Sequence, residues 1–149
     1  MEQSKCNCKN VEFLRKIYKN SKTGTEAISY LKDKIEDKNL LKDIMTQNSE
    51  YEEIKAQAEM ELSKLGEVPK EECPVSKITM WTGVELNTMM SKSPDKIAEM
   101  MMQGSTMGII DMARTLKEYE CVDKEFLVLG ENLISLEERS FERMKKFLG

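Results

Sequence analysis

Residues 94–119 read PDKIAEMMMQGSTMGIIDMARTLKEY, and the way this stretch folds decides how the rest of the chain must be arranged. Ser93-Pro94 is a helix start: the serine hydroxyl can accept from a free N–H of the first turn, and the fixed φ of proline suits the first helical position. Beyond it, apolar or small residues point in nearly every direction: Ile97, Met100, Met101, Gly104, Met107, Gly108, Ile110, Met112 and Leu116. Charge gathers only at the two ends. A helix that is apolar around most of its circumference needs cover on most sides, which predicts the buried central helix of an all-α bundle.

Working outward, the C-terminal stretch begins a helix near Asp123, with an inward track of Phe126, Gly130, Leu133/Ile134, Glu137, Phe141, Met144 and Leu148. Arg143, Lys145 and Lys146 fall in its last turn, where cations complement the helix dipole. Upstream, residues 76–92 predict a shorter helix carrying Ile78, Trp81, Val84, Leu86 and Met89/Met90, separated from the preceding helix by the polar loop GEVPKEECPVS. That preceding helix is expected over 39–65, with Leu40, Ile44, Gln47, Tyr51, Ile54, Ala58, Leu62 and Leu65 inward and Gly66 as its C-terminal stop. The first helix is expected over 10–36 on the track Leu14, Ile17, Ser21, Gly24, Ile28, Leu31 and Ile35, whose steps alternate between three and four. Thr23-Gly24-Thr25-Glu26 resembles a capping box, yet the track keeps register through the glycine, so one helix is preferred. Residues 1–9 read as a disordered tail, and 10–149 as a single domain.

The totals agree with this picture. A 149-residue chain with 34% charged residues, 6% aromatics and three prolines suits long helices and can bury a core without disulfides or a structural metal. Net charge is −4, with no basic stripe outside the last turn, so no nucleic-acid partner is expected. No apolar run approaches the ~20 residues of a membrane span, and the N-terminal MEQSKCNCKN lacks the apolar stretch of a secretory signal. A cytoplasmic protein follows, with its four cysteines reduced. Histidine is absent, which excludes Ser–His and Cys–His nucleophiles, imidazole ligands and a histidine pH switch.

Three stretches, MMMQGSTMGIIDMARTLKEYE, VEFLRKIYKNSKTGTEAI and ISLEERSFERMKKFL, together resemble an uncharacterised bacterial family of ferritin-like four-helix proteins, a domain of unknown function. The resemblance runs from Val11 onward and is most specific around Gln103-Gly104-Ser105. It implies a ferritin-like four-helix bundle and no established activity. By its length the shorter helix, between the second and third long ones, can carry the chain back along the bundle as a crossover, the topology preferred over a plain up-down-up-down bundle with that helix folded over one end. Functional ferritins build their di-iron sites from Glu-x-x-His pairs, so the resemblance implies no standard ferroxidase site in a chain without histidine.

Candidate sites are few. Twelve methionines invite a Cu(I) reading, but Met100, Met101 and Met102 point about 100° apart around a helix, and methionine packs irregular cores well; a methionine-rich core is the expectation. Cys6-Asn7-Cys8 is read as two reduced thiols rather than a metal clip. Gly24, Gly104 and Gly108 are expected to permit close helix packing, with Gly24 facing the other two. Glu61, Asp111 and Glu137 fall roughly 34, 26 and 17 Å down the bundle, too far apart for one di-metal centre. Gln47 and Gln103 at about 14 Å, Glu137 at about 17 Å and Tyr51 at about 20 Å share one layer. A buried Glu137 needs hydrogen-bond donors, and Tyr51 is the best placed. This polar layer, Gln47, Tyr51, Gln103 and Glu137, is the candidate ligand site. The resulting expectation is a non-enzymatic interaction or structural protein, a homodimer without cofactor. The alternative is a divalent-metal or redox protein working through carboxylates and tyrosine.

Overall fold

The structure is a computed structural model and describes residues 2–69 and 93–149, with side chains from Asn7 onward. Four α-helices make up the described residues: α1 (Glu2–Leu31), α2 (Lys38–Lys64), α3 (Pro94–Glu118) and α4 (Lys124–Lys145). The shorter helix expected over 76–92, with Trp81, lies outside the described residues.

Local chemistry sets the helix ends. At α2 the Asp37 side chain accepts from the Leu40 N–H at 2.9 Å, and at α3 the Ser93 hydroxyl accepts from the Lys96 N–H at 3.4 Å. Gly66 follows α2 with φ +74°, the left-handed conformation that stops a helix and suits glycine. The capping box at residues 23–26 does not form. Thr23 and Thr25 instead return their hydroxyls to the Lys19 and Lys22 carbonyls at 2.8 and 2.9 Å, and α1 runs through Gly24 unbroken. Two boundaries of α1 differ from the sequence reading. It extends back to Glu2, so residues 2–9 are helical and not a disordered tail; once a helix is nucleated, each added residue gains a hydrogen bond at little cost. At the other end it stops at Leu31, tightens into a 3-10 turn over Lys32–Lys34 and gives way to extended Ile35.

Contacts at the two ends fix the helix directions. At one end Arg15 in the N-terminal half of α1 pairs with Glu67 and the Val68 carbonyl just beyond α2, and Asn10 accepts from the Asp123 N–H at the start of α4. There too the Tyr119 ring, at the end of α3, packs 5.9 Å from Phe13. At the opposite end Lys146 meets Asp43, and the Gly149 N–H reaches Asp95. Helices α1 and α4 therefore run one way, α2 and α3 the other. The end of α2 and the start of α3 lie at opposite ends of the bundle.

Inside, all seven residues of the α1 track are buried, together with Phe13 and Ala27, which the track omitted. The α2 track is buried from Leu40 to Leu62, while Leu65 is exposed. In α3 the expectation of burial on most sides needs correction. Ile97, Met100, Met101, Gly104, Ser105, Met112 and Thr115 face inward, but Met107 and Ile110 remain 44% and 47% exposed. Among the described residues the buried methionines are Met100, Met101, Met112 and Met144, with Met107 outside the core.

Candidate functional site

Midway along the bundle, side chains from three helices form one buried polar network. Tyr51 on α2 donates its hydroxyl to Glu137 Oε1 on α4. Ser105 on α3 donates to the same oxygen at 3.5 Å, and the Gln47 side-chain amide donates to the Tyr51 hydroxyl at 3.0 Å. All four residues are buried. They reach one another because Gln47 and Tyr51 are one helical turn apart on α2, while Ser105 and Glu137 lie on facing turns of α3 and α4.

Two glycines make room for this network. A Cβ on Gly24 of α1 would come within 2.5–2.8 Å of three atoms of the Tyr51 ring. One on Gly108 of α3 would collide with Glu137 Oε2 and lie 3.0 Å from its Cδ. Both glycines therefore give space to side chains, the phenol ring in one case and the carboxyl in the other. At Gly24 and Gly108 the close packing expected of the glycines is thus against side chains of α2 and α4. Gly104 is buried, as expected.

Tyr51 and Glu137 of this network line a cleft of about 320 Å³ between α1 and α3. Gly24, Tyr51, Gly104, Gly108, Leu133 and Glu137 line its inner part; Met107 and Ile110 give it apolar walls. Asn20 and Thr23 of α1 and Asp111 and Arg114 of α3 complete the lining with polar groups. The Asn20 amide donates to Asp111 at 2.8 Å. Such a volume is at the small end of the range that ligand sites occupy.

Burial dominates the electrostatics. It pushes the Glu137 carboxyl up to about 8, against the Tyr51 and Ser105 hydrogen bonds, which favour the ionised form. The Tyr51 phenol is held well above its ordinary value, first by burial and then by the adjacent Glu137. At neutral pH the pair is therefore mostly phenol and neutral acid. Glu137 Oε1 accepts two hydrogen bonds and Oε2 accepts none from the described residues, and Oε2 lies next to Gly108 on the cleft wall.

Three members of the expected layer, Gln47, Tyr51 and Glu137, meet as the helix heights suggested. Gln103 does not join them: it is exposed, and Ser105 supplies the α3 donor. Two residues along a helix is about 200° around it, so Gln103 and Ser105 cannot face the same way. A small hydroxyl inside an apolar run gives little sequence signal of its own. The carboxylates considered for a metal stay apart. Glu61 is half-buried in a separate shallow groove with Glu125 and Asn132, and Asp111 is exposed at the main cleft. Among the described residues no three acidic or cysteine side chains converge to hold a metal ion. Cys8 and Cys121 are free, exposed thiols.

Outside the cleft, Glu50 on α2 accepts from Arg139 and Arg143 of α4 at 2.7 Å each. Burial alone raises its carboxyl, but the two guanidinium groups outweigh that and hold it below the usual range. No helix among the described residues is long and apolar enough to cross a membrane. Comparison with known proteins finds no family model, curated protein or solved structure that matches this chain.

Proposed function

We propose that this chain is a non-enzymatic binding protein on a ferritin-like bundle, and that its site is the cleft ending on Glu137. The ferritin-like reading is supported by the helix directions: α2 and α3 are parallel although consecutive among the described helices, the arrangement that a long crossover connection gives such bundles. The observation that carries the binding reading is that a buried carboxyl, hydrogen-bonded on one oxygen, turns its other oxygen to an open, glycine-walled cleft. A polar layer that served only to fix helix register would be sealed by apolar side chains. Catalysis is less well supported: among the described residues that line the cleft none is a cysteine or a lysine, and no three acidic or cysteine side chains converge there. The free surface thiols suit a reducing cytoplasm.

The test is an NMR screen of the intact chain against cationic, neutral and anionic fragments. Hits should shift the amides of Gly24, Gly104 and Gly108 together. A screen with no response at these three glycines would remove the binding reading.

A second reading is favoured by the exposed Met107 and Ile110 at the cleft rim: a second copy of the chain covers them in a homodimer. Sedimentation velocity at tens of micromolar should then give a dimer that Met107→Ser/Ile110→Ser converts to monomer. A monomeric native chain would refute it.

A further inference from the structure

We propose that the ligand of this cleft is a small organic cation of the alkylammonium type, its nitrogen on Glu137 Oε2 and its hydrocarbon part along Met107, Ile110 and Leu133. The inference rests on the cleft being a binding site and names its ligand class. Its basis is an imbalance around Glu137. Tyr51 and Ser105 both donate to Oε1, an arrangement that suits a carboxylate, yet no cationic side chain among the described residues pairs with it. A buried carboxylate with its donors in place and no counter-charge keeps a proton instead. A cation that enters the cleft can replace that proton, which leaves to water, and convert an uncompensated burial into an ion pair.

The surrounding groups narrow the choice. From α1 the cleft receives only the neutral Asn20 and Thr23; from α2, Tyr51, with Glu50 acting on the phenol from behind; from α4, Glu137 itself. α3 supplies Asp111 and Arg114. Asp111 accepts a hydrogen bond from the neutral Asn20 amide on the cleft lining. An anion drawn to Arg114 would have Asp111 one turn away on the same helix. A divalent metal ion is best held by several converging carboxylate or thiolate ligands, and among the described residues no three acidic or cysteine side chains converge. Met107, Ile110 and Leu133 fit a hydrocarbon body better than a hydrated inorganic ion.

The experiment is an NMR titration of the intact chain with hexylammonium, hexan-1-ol and hexanoate between pH 6 and 8.5. Hexylammonium should shift the Gly24, Gly104 and Gly108 amides. Its affinity should rise about tenfold per pH unit while Glu137 is protonated and level off above about pH 8. Glu137→Gln should lower that affinity about tenfold or more and abolish the pH dependence. Tyr51→Phe keeps the ring against Gly24 and should weaken hexylammonium a few-fold. Binding that ignores pH, or that survives Glu137→Gln undiminished, overturns the inference; the wild-type pH profile decides it even if the variant does not fold. Response to hexanoate or hexanol alone overturns the cation but leaves the binding site standing. No response at the cleft glycines to any of the three probes overturns both.

Discussion

Replacing Gly24 with alanine should destabilise the protein, although alanine is the better helix former by about 1 kcal/mol. The added Cβ would sit 2.5, 2.6 and 2.8 Å from Cε2, Cζ and Cδ2 of Tyr51, distances that force one side to move. The Tyr51 ring is rigid and buried, and its hydroxyl is tied to Glu137 and Gln47. Overpacking of this kind costs about 1–3 kcal/mol, and disturbing the hydrogen bond to Glu137 costs about 1 more. The helix-propensity gain offsets roughly one of these, leaving a net loss of about 1–3 kcal/mol. Urea denaturation with an unchanged m-value measures it. The control is the Tyr51→Leu background, which lacks Cε2 and Cζ, the two nearest atoms. There Gly24→Ala should become neutral or stabilising by up to about 1 kcal/mol. A stabilised Gly24→Ala in the native background would refute the reasoning, since it would mean the ring yields without cost.

Glu137 binds its proton more tightly folded than unfolded, so stability should fall as pH rises from about 4.5 towards about 8, by at most about 1.4 kcal/mol per unit; Glu137→Gln should flatten that slope in urea melts across the window, and an unchanged slope would remove Glu137 as its source. Glu50→Gln should cost about 1 kcal/mol at neutral pH, discounted for the solvent that reaches its arginine pairs. Because the folded Glu50 carboxyl lies below its ordinary 4.5, that cost should fade as pH drops through its folded value; a constant penalty down to pH 3 would contradict it. Asn10→Ala removes the buried acceptor of the Asp123 N–H at 3.0 Å and should lower stability by about 1–2 kcal/mol, visible in the same melts; an unchanged midpoint would show that water replaces the side chain freely.

Much of this arrangement was legible in the residues. The three-and-four spacing of Leu14, Ile17, Ser21, Gly24, Ile28, Leu31 and Ile35 selects a face that is buried throughout, because that period keeps side chains on one side of a 3.6-residue helix. Ser93 and Gly66 mark helix ends through local hydrogen bonding and backbone conformation, which need no tertiary context. Even the meeting of Tyr51 with Glu137 followed from the rise per residue once the helix directions were assumed.

Periodicity fails where a helix is apolar all round. In α3 the residue types alone do not choose a face, since Met100, Met107, Ile110 and Met112 are equally apolar. Only packing against α1 and α4 turns Met112 inward and Met107 outward, and the same rotation brings Ser105 to Glu137 and leaves Gln103 in solvent. The glycines show the same division. Sequence marks Gly24 and Gly108 as places without a side chain, but what occupies the space depends on residues distant in the chain. The inward faces of α1 and α2 and the helix ends at Ser93 and Gly66 are local properties and follow from the sequence directly. The raised carboxyl of Glu137 and the cleft above it come from burial by several helices at once, a property that no single stretch of the chain contains.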